Sequence, residues 1–205
     1  MTISARRLLI FVALLALGCA SLAAQTVTTI KIAEDQPALE FVGQFNNSGA
    51  SSQQFGYLSN IQGFGAVFSG TPENETTANF TFVTNATTNV VFANGPFRTI
   101  DRTGTTTIYL NNGPSDFSNP ATFSQGTPIQ ASNYSQQVVL NTLTGSFTTV
   151  HLNTITNTEP FVLSGTMYRL GQVGKSFRTT YSGQANPTTG AAPNGWFSGY
   201  AVGVK

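Results

Sequence analysis

The chain has 205 residues and a formal net charge of +1, with only 8% charged side chains against an ordinary 40% hydrophobic ones. Neutral polar groups must therefore cover the surface, and no basic stripe stands ready to neutralise a phosphate backbone, which excludes nucleic acid as the expected partner. A single cysteine, Cys19, and a single histidine, His151, exclude a disulfide framework and the clustered ligand spacings of zinc sites.

In chain order, the first segment differs from everything after it. Arg6 and Arg7 precede an uninterrupted apolar run from Leu8 to Leu17, and Ser21-Leu22-Ala23 follows with small residues. A basic start, a short apolar core and a small-x-small site are the parts of an export signal, and the run is shorter than the roughly 20 residues of a permanent anchor. Residues 1–24 are thus expected to be a signal peptide removed after Ala23 or Ala24, leaving residues 25–205 as one domain that is secreted, periplasmic or displayed at the cell surface. Gly18-Cys19 has the last pair of a lipoprotein signal, so lipidation of Cys19 is the competing expectation. Membrane association is expected only through the signal peptide or that lipid.

Beyond Ala24 the hydrophobic pattern has period two, and Thr, Val, Ile, Phe and Tyr fill the runs, as suits a pleated, half-buried surface. Strands are predicted at Val27 to Ala33, Leu39 to Phe45, Phe55 to Ile61, Gly65 to Phe68, Asn79 to Thr84 and Asn89 to Ala93. Others follow at Phe97 to Asp101, Thr105 to Leu110, Gln137 to Leu143, Ser146 to Ile155, Phe161 to Leu170, Phe177 to Gln184 and Trp196 to Val204. Turn chemistry separates them at Asn94-Gly95-Pro96, Arg102-Thr103-Gly104, Asn112-Gly113-Pro114, Thr144-Gly145 and Asn194-Gly195, where Gly and Asn tolerate the positive φ of tight hairpins. Pro114, Pro120 and Pro128 break the rhythm, so Asn111 to Asn133 is expected to be a long loop over one end of the sheet. Gln184 to Asn194 reads as a second loop. The expected fold is all-β, an antiparallel sandwich or small closed barrel of roughly 8–13 short strands with little or no helix.

No catalytic constellation emerges. His151 has Thr149 and Asn153 as same-face neighbours and reads as a solvated sheet-face histidine. No Gly-x-Ser-x-Gly elbow or phosphate loop occurs. Asp101, Asp116 and Glu159 are scattered and are assigned structural duty. Five Asn-x-Ser/Thr tripeptides, at Asn46, Asn74, Asn79, Asn85 and Asn133, are what such a composition produces by chance. No catalytic residue, metal site or cofactor is therefore expected. Trp196, Phe197 and Tyr200 form the candidate ligand-binding cluster, since exposed rings stack on sugars or close the mouth of an apolar cavity.

Two functional expectations follow. One is a non-catalytic binding or structural domain of the cell envelope whose partner is a carbohydrate, another cell-surface component or a second copy. The other is a small barrel holding an apolar ligand and steering a reaction, if any, by cavity shape. In size, export and strand count it is similar to lipocalins or to the exported barrels of dirigent and allene oxide cyclase type. An outer-membrane barrel is set aside because many of the predicted strands are shorter than a span requires.

Overall fold

A computed structural model describes residues 26–33, 36–186 and 194–204. The signal-peptide reading, its cleavage site, Cys19 and most of the Gln184 to Asn194 loop lie outside the described residues.

The all-β expectation is met, and the choice between sandwich and barrel is settled: eight antiparallel strands close on themselves. They are β2 (Leu39–Ser48), β3 (Ser51–Ile61), β4 (Phe80–Asn94), β5 (Phe97–Leu110), β6 (Thr127–Asn141), β7 (Ser146–Thr158), β10 (Ser176–Ala185) and β11 (Asn194–Val204). Each pairs with the next, β7 pairs with β10, and β11 returns to β2 with Leu39 opposite Ala201. Closure leaves no bare edge in this sheet. The remaining strands, β1 (Thr28–Ile30), β8 (Pro160–Leu163) and β9 (Thr166–Leu170), form a small sheet in the order β1-β9-β8.

The two ends of the barrel differ. At one end β2–β3, β4–β5, β6–β7 and β10–β11 are joined directly as hairpins. At the other lie the long connections and the small sheet, whose Ile30, Phe161 and Leu170 join Ile61, Phe80 and Ile129 in the buried core. Phe80 is wholly buried and meets Phe64 and Phe161 edge-on at 5.7 and 5.6 Å, geometry that adds to simple area burial. The barrel is a cup, plugged at its base and approached through its hairpins.

Several strands are longer than the sequence reading has them. Asn79–Thr84 and Asn89–Ala93 merge into β4, and Phe97–Asp101 and Thr105–Leu110 merge into β5. The turn expected at Arg102-Thr103-Gly104 is instead mid-strand. Gly104 is there because a side chain would strike the backbone of Asn85 and the ring of Tyr134, the close approach that glycine permits inside a strand. Phe161 to Leu170 divides at Ser164-Gly165, both at positive φ, into β8 and β9. Gly65 to Phe68 makes no strand, only an isolated bridge from Phe68 to Ala78.

The Pro-rich loop is shorter than expected, since β6 begins at Thr127. It also covers a different surface. Instead of lying over an end, it straps the outer wall: Phe117 and the fully buried Phe123 pack on Phe55 of β3 at 6.1 and 5.4 Å, and the Thr81 hydroxyl donates to the Phe123 carbonyl at 2.8 Å. Phe55 and Tyr57 have outward parity; the loop buries Phe55 and leaves Tyr57 half-buried.

Candidate functional site: a polar layer beneath an apolar cavity

Alternation along each strand decides which side chains enter the barrel. On β5 the inward set includes Ile100, Arg102, Gly104 and Ile108; on β6 it includes Tyr134, Gln136, Val138 and Leu140; on β7, Phe147, Thr149, His151 and Asn153. The register sets Arg102 opposite Gln136 and Gln136 opposite His151, so three polar side chains sit side by side across three strands. A bulge between Thr88 and Val90 shifts the parity of β4, and both Thr88 and Val91 line the interior.

Tyr181 of β10 ties this layer together. Its hydroxyl donates to Gln54 Oε1 at 2.8 Å and accepts from Gln136 Nε2 at 2.8 Å. His151 Nε2 lies 3.1 Å from the same oxygen. With the tyrosine proton committed to Gln54, Nε2 of the imidazole is the donor. Tyr134 stacks on the His151 ring with centroids 4.8 Å apart and planes 19° apart. His151 is thus buried, contrary to the solvated position expected of it, because its parity on β7 is that of Phe147 and Ile155. Thr149 and Asn153 are its same-face neighbours as read, and both are buried with it.

Burial governs the electrostatics. It holds the imidazole neutral, with a pKa brought down to about 3, and the nearby Arg102 guanidinium pushes the same way. Burial likewise raises the Tyr181 and Tyr134 phenols above their ordinary range. Neither the histidine nor the tyrosines are poised for proton transfer near neutrality, which wants a group whose pKa lies close to the working pH.

Above this layer, on the hairpin side, is a cavity of about 300 Å³. Phe45, Val91, Ile100, Val138, Leu140 and Phe147 form its walls, and Gln54, Arg102, Gln136, Thr149 and Tyr181 its polar part. Below is a space of only about 50 Å³ among Phe41, Leu58, Phe82, Ile108, Phe177 and Phe197. The glutamine and tyrosine layer is the partition between the two.

The three sequence-predicted binding residues are not brought together. Phe197 points inward and packs against Tyr181 at 4.6 Å, in the lower core. Trp196 and Tyr200 have the opposite parity and are 47% and 43% exposed on the outer wall, where Trp196 rests on Phe117 at 4.8 Å. Asp101 is outward on β5, opposite Val90 and Gln137. Asp116 accepts from the backbone and hydroxyl of Ser118, which lowers its carboxyl pKa. Glu159 accepts from Asn157. Among the described residues no group of three metal-ligating side chains occurs.

Sequence reasoning missed Gln54, Arg102, Gln136 and Tyr181. The available signal was parity: each has the inward phase of its strand, a polar group where the pattern calls for an apolar one. Comparison with protein-family models, curated proteins and solved structures finds no match.

Proposed function

We propose that this barrel is a binding domain for a small, mainly apolar molecule, taken up through the hairpin end and seated on the polar layer, and that with the leader read above it works outside the cytoplasm. The observation that carries the reading is the cavity of about 300 Å³, apolar on its walls with a few convergent polar groups, which is the usual make-up of a small-molecule site. The polar groups are held by one another before any ligand arrives, so little ordering remains for binding to oppose. The depressed histidine and raised tyrosines support holding over acid-base chemistry. The outer wall offers Trp196 and Tyr200 to a carbohydrate, but they lie on an open surface, and the ligand reading stands ahead of the surface-binding one.

Native mass spectrometry of protein purified from its own source tests this. A small-molecule adduct is expected, and Val138→Trp, which fills the cavity from its wall, should abolish both the adduct and calorimetric binding of 1-octanol. Protein that carries no adduct and ignores 1-octanol, or a folded Val138→Trp variant that still binds it, would overturn the reading.

A further inference from the structure

We infer that the ligand is an amphipathic anion of about ten non-hydrogen atoms in all, an apolar body ending in a carboxylate-like group that sits against the Arg102 guanidinium. This rests on the binding reading above and adds the chemistry of the ligand's head. Three observations carry it.

Among the described residues Arg102 is the one charged residue lining the cavity, and no Asp or Glu joins it there. The groups that act electrostatically on the guanidinium are two phenols, those of Tyr181 and Tyr134. The neighbouring carboxylate in sequence, Asp101, has the opposite parity and lies on the outer wall. A partly buried cation without a counter-charge is costly, and here burial is the main influence on the arginine, lowering its pKa from the ordinary value. An anion brought by the ligand offsets that cost.

The guanidinium is also already aimed. Its Nε donates to Thr88 Oγ1 at 3.1 Å, which fixes the plane and leaves the Nη groups for an incoming oxygen pair, the bidentate geometry in which arginine binds carboxylates best. One more polar atom around the same cavity, Asn47 Oδ1, is buried without a hydrogen-bond partner. Buried polar atoms are almost always satisfied. Asn47 is thus an acceptor for a hydroxyl on the ligand body.

Size sets the rest. At about 30 Å³ for each water-sized unit, a space of about 300 Å³ accommodates a molecule such as octanoate. The apolar walls exclude a highly charged body, and the single arginine suits a single negative charge.

Isothermal titration calorimetry of the purified protein with octanoate and with 1-octanol separates the head from the body. Octanoate should bind roughly ten- to a hundredfold more tightly than 1-octanol, the range of one charge-assisted contact. In Arg102→Met the preference should vanish while 1-octanol still binds, and Arg102→Lys, which keeps the charge and loses the fork, should retain part of it. Should Arg102→Met fail to fold, the Lys variant and the wild-type preference decide the matter. Equal binding of the two probes by the wild type, or an undiminished preference in Arg102→Met, would overturn the anionic head and leave the cavity reading standing. Failure of both probes to bind protein that carries no adduct would overturn the two together.

Discussion

At the scale of single residues, the interior is organised by one hydroxyl. Tyr181 satisfies Gln54, Gln136 and His151 at once, so side chains from four strands share one oxygen. Such a network fixes its members, since losing a partner strands a buried polar group at a cost of about 1–3 kcal/mol. His151 adds a pH dependence whose sign follows from its environment. Tyr134 stacks on it, Tyr181 accepts from it, Asn153 and Thr179 bond each other beside it, and Arg102 repels its charged form. Its pKa in the folded protein, about 3, is below the unfolded value near 6.5, so the unfolded chain binds the extra proton. Stability is therefore complete above pH 6.5 and declines as the pH falls from 6.5 toward 3, by up to about 1.4 kcal/mol per unit. Urea midpoints at pH 7 and pH 4.5 should differ less in His151→Gln than in the wild type. The carboxylates, Asp116 among them, are common to both proteins, so equal pH profiles would contradict the assignment.

At the scale of elements, strand identity was legible and strand length was not. Period-two patterning located β2, β7, β10 and β11 closely because β-branched and aromatic residues recur along each and turn residues bound them. It failed on β4 and β5, where polar or bare positions in mid-strand are the residue types that turns also use. Arg102 and Gly104 on β5 look like turn chemistry when read locally, yet both occupy inward positions of an unbroken strand: one faces a cavity, and the other makes room for the Tyr134 ring. The polar stretch Asn85 to Thr88 of β4 misled in the same way, because on a barrel the outward face is Thr- and Asn-rich and a short window cannot tell it from a loop. The candidate site was illegible for a related reason. Its members are dispersed over β3, β5, β6, β7 and β10, and only the pairing register makes them neighbours. Gly104→Ala tests the strand reading. A Cβ there meets the Asn85 backbone, which cannot move without parting β4 from β5, and the loss should be about 1–3 kcal/mol, measured by chemical denaturation. A turn glycine at negative φ would tolerate the change with little effect.

At the scale of the whole molecule, the two ends of the barrel have separate duties. The base is a packed plug in which β1, β8 and β9 contribute Ile30, Phe161 and Leu170 to the core; the hairpin end holds the cavity. Phe161→Ala should lower unfolding free energy by about 3–5 kcal/mol, as removal of a core ring does, while the affinity for octanoate stays unchanged because the polar layer and the lower aromatic core stand between. A variant that loses affinity in proportion to stability would show that the ends are coupled. The seam between β2 and β11 reaches further. Leu39 cannot meet Ala201 until β11 has been synthesised, so while β3 to β10 are being made the chain has β2 exposed as an open edge, and strand edges of this kind pair readily with other chains. A helical bundle can consolidate as it is made. This cup acquires its shape only once β11 is available to close it, and its yield in any host will depend on how well the incomplete sheet is kept apart from its copies until then.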